Sequence, residues 1–159
     1  MKADSLPNSI EPMKASLAEI PSVSDGWATE IKWDGVRAIS CYEDGELRLQ
    51  GRRLNDITGL FPELGQLGSF QRIQKRLRQD GERLRNRSYV ATFIIFDLLY
   101  ADGVDMRDRP YSERREQLEA RGLNGPTWQT PDYLEVDIAS TLEATAEQGL
   151  EGLVVKRLS

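Results

Sequence analysis

Histidine is absent from this chain of 159 residues, and cysteine occurs once, at Cys41. Those two absences exclude several kinds of chemistry. A histidine-based nucleophilic triad cannot be assembled, a zinc site of imidazole and thiolate ligands lacks its donors, and no intrachain disulfide can form. Any metal must be a hard cation on carboxylates, Mg²⁺ or similar. Cys41 lies in the strand-like "AISCY" and reads as a small core residue of a protein from a reducing compartment. No apolar run reaches the roughly 18 residues of a membrane span, and no apolar stretch follows Met1-Lys2 as in a signal peptide. A cytoplasmic location without a membrane partner is the expectation. A net charge of −5 argues against a uniformly basic nucleic-acid binder. The charge is uneven, however. Residues 71–87 hold seven cations (Arg72, Lys75, Arg76, Arg78, Arg83, Arg85, Arg87) against Asp80 and Glu82. Such a stripe is either a solvated helix face or a surface that meets phosphates.

What is present fits one globular domain with a moderate core, since 39% of residues are hydrophobic and runs such as "FIIFDLL" and "LVV" oppose a disordered reading. Residues 1–26, rich in Pro and Ser, form a lead-in with little regular structure. From Trp27 onward "WATEIKW" and "VRAISCY" read as strands. "EDG" (residues 43–45) is a hairpin turn into "ELRLQGR", where Leu47 and Leu49 alternate with polar residues. "SFQRIQKRLRQ" has helical spacing of Phe70, Ile73 and Leu77 behind a Ser69 cap. "YVATFIIFDLLY" reads as a buried strand. "SERREQLEARG" is a helix from a Ser112 cap to a Gly122 stop, and "STLEATAEQG" another, with Ser140 and Glu143 as a capping box and Gly149 as its end. "EGLVVKR" closes the chain as a strand. The order predicts an α+β domain of antiparallel sheets with flanking helices rather than regular βαβ winding.

Charged clusters sit at the ends or edges of the apolar strands: Glu30, Lys32, Asp34 and Arg37; Gly51, Arg52 and Arg53; Asp97 after Phe96; Glu151 and Lys156. In "EIKWDGVR" alternation puts Ile31 and Trp33 on one face and Glu30, Lys32 and Asp34 on the other. Lys32 between carboxylates is either a solvated surface charge or a nucleophile in a cleft. A free lysine amine, with a pKa of about 10.4, is mostly protonated at neutral pH, and only cationic neighbours or a metal would expose its lone pair. Composition alone leaves both readings open.

Motifs narrow the choice. "KWDGVR" (residues 32–37) resembles the lysine–any–Asp–Gly–any–Arg signature of ATP-dependent DNA ligases and mRNA capping enzymes. "FIIFDLLYADG" resembles the third signature of DNA ligases, and "EGLVVKR" the fourth. The lead-in "IEPMKASLAEIP" followed by "DGWATEIKWDGVRAI" resembles bacterial ligases of the non-homologous end-joining type. With "FPEL", "SFQRIQKRL" and "ERREQLE" between the signatures, the resemblance covers nearly the whole chain. It implies a nucleotidyltransferase (ATP-grasp-like) fold over residues 27–159, with ATP and Mg²⁺ as cofactors. Lys32 would form a lysine–AMP phosphoramidate, and AMP would pass to a 5′-phosphate in nicked or broken double-stranded DNA. Glu30 would line the adenine end, Phe96 would stack on the base, and Arg37 and Arg52 would hold ribose or phosphate oxygens. Glu151 would serve the metal or ribose, and Lys156 the α-phosphate. From the residues alone Phe96 also reads as ordinary core. End-joining proteins and the bacterial nucleoid are the implied setting. A non-catalytic nucleotide- or partner-binding descendant, and an RNA ligase or capping-type transferase, are the alternatives.

Three departures from the ligase pattern stand out. An Asp-Gly-Glu element followed by an apolar strand is missing near Leu67–Gly68, and the triplets ending in Glu46 and Glu82 fall in the wrong context to replace it. The chain stops at Ser159, after the fourth signature, so the lysines of the fifth and a trailing OB-fold are not in it. The expectation is that a natural chain contains segments absent here, because loss of a central strand would leave open sheet edges.

Overall fold

The computed structural model of the chain describes residues 6–43, 46–61, 93–124 and 128–159. The turn at Asp44-Gly45, the Ser69 helix, the basic stripe of residues 71–87, Glu82 and the missing element at Leu67–Gly68 lie outside the described residues.

Within them the strands run β1 (Trp27–Ile31), β2 (Ala38–Glu43), β3 (Glu46–Gly51), β4 (Phe93–Ile94), β5 (Tyr100–Ala101), β6 (Val104–Asp105), β7 (Trp128–Gln129) and β8 (Leu153–Arg157). The helices are α1 (Tyr111–Glu119) and α2 (Ile138–Glu147). The mixed α+β class expected from the element order is what the fold has. The expected all-antiparallel pairing is corrected in one place. β1–β8, β2–β3 and β5–β6 are antiparallel, but β4 and β7 pair in parallel. A parallel pair needs a crossover, and α1 lies in the chain between these two strands.

The lead-in has no regular elements, as its composition suggests, yet it is anchored. The Gln50 side-chain amide accepts from the Ile10 N–H and donates to the Ile10 carbonyl, and both residues are buried. This covers one face of β3. On the other, Leu49 packs with Ile57 and Phe61, joined by Ala38, Leu47 and Phe93.

Helix boundaries depart from the expected caps. α1 starts one residue before Ser112, with Pro110 as its N-cap, and the Ser112 N–H donates to the Leu158 carbonyl instead (3.1 Å). α2 is capped by Asp137, whose carboxylate accepts from the Ser140 N–H (2.8 Å), so Ser140 is the third helical residue rather than the cap. Gly149 does end α2, at φ +69°, a region only glycine enters without cost. Of the expected strand "YVATFIIFDLLY", residues 89–92 lie outside the described residues, and the rest is not one buried strand. β4 covers only Phe93–Ile94, a last bond runs from the Ile95 N–H to the Gln129 carbonyl (2.9 Å), and residues 93–100 are only half-buried. Beyond it, the Asp97 carboxylate accepts from the Leu98 N–H and the Arg114 guanidinium.

Candidate functional site

The β1–β8 seam is the platform on which charged groups gather. Glu30 pairs with Val154 and Ala28 with Lys156, so Glu30 and Lys156 are diagonal neighbours on one face of the seam. β1 is tied on its other edge too, through reciprocal backbone bonds between Thr29 and Leu134 (2.8 and 2.9 Å). The strand ends at Ile31, two residues short of the expected reach, leaving Lys32 and Trp33 outside it and exposed. Lys32 still continues the ladder, since its N–H donates to the Gly152 carbonyl at 2.9 Å. That bond sets Lys32 beside Glu151, and the Lys32 ammonium forms an ion pair with the Glu151 carboxylate. Both side chains are about half exposed.

Gly152 makes this approach feasible, because its φ of +141° is a backbone region that other residues rarely adopt. No atom stands within 4 Å of a Cβ placed there, so a substitution would meet backbone strain and no clash. Gly152→Ala is expected to cost about 1–3 kcal/mol in urea unfolding and to loosen the Lys32–Glu151 pair. An unchanged unfolding midpoint would contradict that.

Two residues deeper, Glu30 is buried, its side chain only 6% exposed. Lys156 Nζ lies 2.8 Å from Glu30 Oε2, and the Tyr111 hydroxyl donates to Oε1. The same ammonium sits 4.5 Å from the Tyr111 ring centroid and 5.1 Å from that of Phe96, and donates to the Phe96 carbonyl at 3.4 Å. Burial, and then the hydrogen bond to Glu30, push the Tyr111 hydroxyl well above the usual tyrosine pKa. The fold therefore favours the protonated phenol. The resulting stabilisation is complete below about pH 10 and is withdrawn as pH rises through the folded-state value. Among the five tyrosines, Tyr111 should add no tyrosinate absorbance at about pH 11 while the fold persists. Wild type and Tyr111→Phe are expected to titrate alike there, and one extra ionisation in wild type would refute the assignment.

The described contacts thus form two clusters along one seam, Lys32 with Glu151 and Lys156 with Glu30 and Phe96, and neither includes the two arginines. Arg37 donates to the Met13 carbonyl at 2.5 Å, tying the lead-in to the loop after Lys32. Arg52 is exposed and, among the described residues, pairs with no carboxylate. Tyr111 is the residue that sequence reasoning missed. The expected Ser112 cap leaves Tyr111 outside the helix, whereas α1 begins with it. Arg114 was missed too: its guanidinium grips Asp97 at 2.9 and 3.1 Å and lies 5.6 Å from the Tyr111 ring, bracing the segment that carries Phe96.

For a divalent cation the donor chemistry fits. Glu151 offers one hard carboxylate beside Lys32, and Mg²⁺ is commonly held by one or two carboxylates with substrate phosphates completing the shell. Among the described residues no group of three or more acidic, histidine or cysteine side chains could hold a metal. Surface hollows lie elsewhere, one beside Ala101, Met106, Arg109 and Glu113, another beside Ser24, Glu135 and Asp137. Shape alone does not single out the seam; its charge pairing does.

Fold and sequence define the class first: the adenylation domains of DNA ligases. A mycobacterial DNA ligase D complexed with ATP and MES superimposes with a TM-score of 0.66 at 28% identity, over 84% of this chain and 48% of that one. The chain belongs to the family described as the ATP dependent DNA ligase domain, whose sequence model matches residues 63–159. That match takes in Phe96, Glu151 and Lys156 but begins after Lys32. Whole-chain relatives supply the remainder. The multifunctional non-homologous end joining protein LigD of Pseudomonas aeruginosa is 33% identical across 96% of this chain, and a DNA ligase of Aeropyrum pernix 29% across 92%. The chain spans only 20% and 30% of those two proteins.

Proposed function

We propose that this chain is the AMP-accepting part of an ATP-dependent DNA ligase, with Lys32 as the nucleophile and residues 27–159 as the nucleotidyltransferase unit. The observation that carries the reading is the Lys32–Glu151 pair, which joins the first and fourth signature motifs at the end of one antiparallel seam. In the reaction Lys32 Nζ bonds to the α-phosphorus of ATP as the bond to pyrophosphate breaks. Lys32 must first give up its ammonium proton to solvent, and a divalent cation drawing Glu151 away from it would favour that loss. AMP then passes to a 5′-phosphate at a DNA break, and a 3′-hydroxyl displaces it.

Phosphoryl-type transfers depend on in-line positioning and charge neutralisation, and the seam supplies both kinds of group. Lys156 neutralises phosphate charge once nucleotide draws it from Glu30. Phe96, half-buried, offers a stacking surface for the base, and Glu30 a carboxylate for its amino group. Arg37 and Arg52 serve ribose and phosphate oxygens after closing toward the seam. Mg²⁺, held by Glu151 together with the phosphates, would offset negative charge on the triphosphate. Nicked or broken double-stranded DNA is the proposed substrate and end-joining proteins the proposed partners, in keeping with the relatives' names. Among the described residues no helix is long and apolar enough to cross a membrane.

Incubation with ATP labelled at the α-phosphate and Mg²⁺ should leave label on the denatured protein. ATP-dependent thermal stabilisation with no retained label would instead identify a nucleotide-binding module. Transfer of the label to nicked RNA in preference to DNA would identify an RNA ligase.

A further inference from the structure

We infer that Tyr111 is a positioning residue of the nucleotide site, occupying one Glu30 oxygen so that Lys156 contacts only the other and both charged groups keep capacity for a ligand. The inference rests on the nucleotide-binding reading above and extends it to a residue outside the signature motifs.

Tyr111 is buried, at 4% exposure, in the first turn of α1. It is held on several sides. The Ser112 N–H bond to Leu158 pins this turn to the end of β8. The Arg114 guanidinium lies over its ring, and Tyr133 packs edge-on at 6.1 Å and 68°. From that fixed position its hydroxyl donates to Glu30 Oε1 while Lys156 reaches Oε2. A phenol is a neutral donor, so it orients the carboxylate without cancelling its charge. An ionised carboxylate offers about four acceptor positions, and these two donors leave others open. Its ring face, 4.5 Å from Lys156 Nζ, also holds the ammonium by cation–π attraction. Without the hydroxyl, Oε1 is free to turn and bind Lys156 through both oxygens. The two charges then satisfy each other, and a nucleotide must break a tighter pair to use either.

The test measures ATP affinity of the 159-residue chain in EDTA, where covalent transfer is suppressed. Tyr111→Phe is expected to raise the Kd about tenfold, equivalent to about 1.4 kcal/mol. Tyr42→Phe, at an exposed position on β2, should leave it unchanged. Glu30→Gln should also weaken binding, and Tyr111→Phe added to it should weaken it little further, because the two act through one contact. A Tyr111→Phe protein with wild-type Kd, or fully additive effects with Glu30→Gln, overturns the inference. If Tyr111→Phe melts below the assay temperature, fluorotyrosine at this position keeps ring and hydroxyl. Its fluorine resonance must then shift in Glu30→Gln and on ATP addition, and a silent resonance overturns the inference equally. The underlying reading fails separately: wild type that binds ATP in EDTA but retains no AMP with Mg²⁺ is not a transferase, while the Kd ratio still judges Tyr111. Wild type that binds no ATP defeats both.

Discussion

Lys32→Arg is expected to hold ATP but to accept no AMP, giving no covalent adduct under conditions that label the wild-type chain. Arginine keeps the positive charge and can still pair with Glu151, so electrostatic attraction for the triphosphate survives. Its guanidinium stays protonated in proteins and offers no lone pair to phosphorus. Lys32→Ala should abolish the adduct as well. Neither change should unfold the chain, because Lys32 and Glu151 are 48% and 43% exposed, and exposed ion pairs contribute about 0–1 kcal/mol. The separation matters: loss of label with unchanged unfolding places the defect in chemistry. An adduct retained by Lys32→Arg would move the nucleophile elsewhere.

Lys156→Met should have the opposite balance, with a large cost in stability as well as loss of labelling. Glu30 is buried and depends on Lys156 at 2.8 Å and on the Tyr111 hydroxyl. Methionine is close to lysine in length and fills the space between the Phe96 and Tyr111 rings, so the lesion is electrostatic. Breaking a buried pair leaves an uncompensated charge, typically about 3–5 kcal/mol. Because the Lys156 side chain keeps 19% exposure, the lower end, about 3 kcal/mol, is expected. Adding Glu30→Gln removes the stranded charge, so the double variant should regain much of the stability but none of the labelling. Urea unfolding of the single and double variants reads this directly. A loss below about 1 kcal/mol in Lys156→Met would show the pair to be solvated like a surface bridge.

How far the sequence led depended on the kind of residue. Motif residues were legible because "EIKWDGVR" and "EGLVVKR" carry charge on strands whose apolar alternation is clear. Their pairing as neighbours β1 and β8 was not legible, since strand order is set by contacts more than a hundred residues apart. Tyr111 escaped because an aromatic beside "SERRE" looks like a spacer before a serine cap, whereas Pro110 starts the helix and turns the ring inward. Arg115 escaped for a related reason. Helical spacing from Tyr111 places it with Leu118 on the buried face, where it is 1% exposed. It reaches Glu119 at 2.8 Å, the Pro131 carbonyl, and the Tyr133 ring at 5.5 Å. Hydrophobic patterning assigns arginine to solvent, so it cannot see a buried cation that satisfies backbone and aromatic groups. "FIIFDLLY" misled in the opposite direction. Its apolar run suggests a full buried strand, but the described pairing covers only Phe93–Ile94, and Asp97 beyond it bonds to Arg114.

The central claim is that Lys32, and no other lysine, carries AMP. The chain has five lysines, at positions 2, 14, 32, 75 and 156, so peptide mapping by tandem mass spectrometry can separate them. After incubation with ATP and Mg²⁺ and digestion, the peptide containing "EIKWDGVR" should carry one AMP, localised to Lys32 and lost on brief acid treatment as a phosphoramidate is. AMP on any other lysine, or an ATP-treated chain in which every lysine is unmodified, would contradict it.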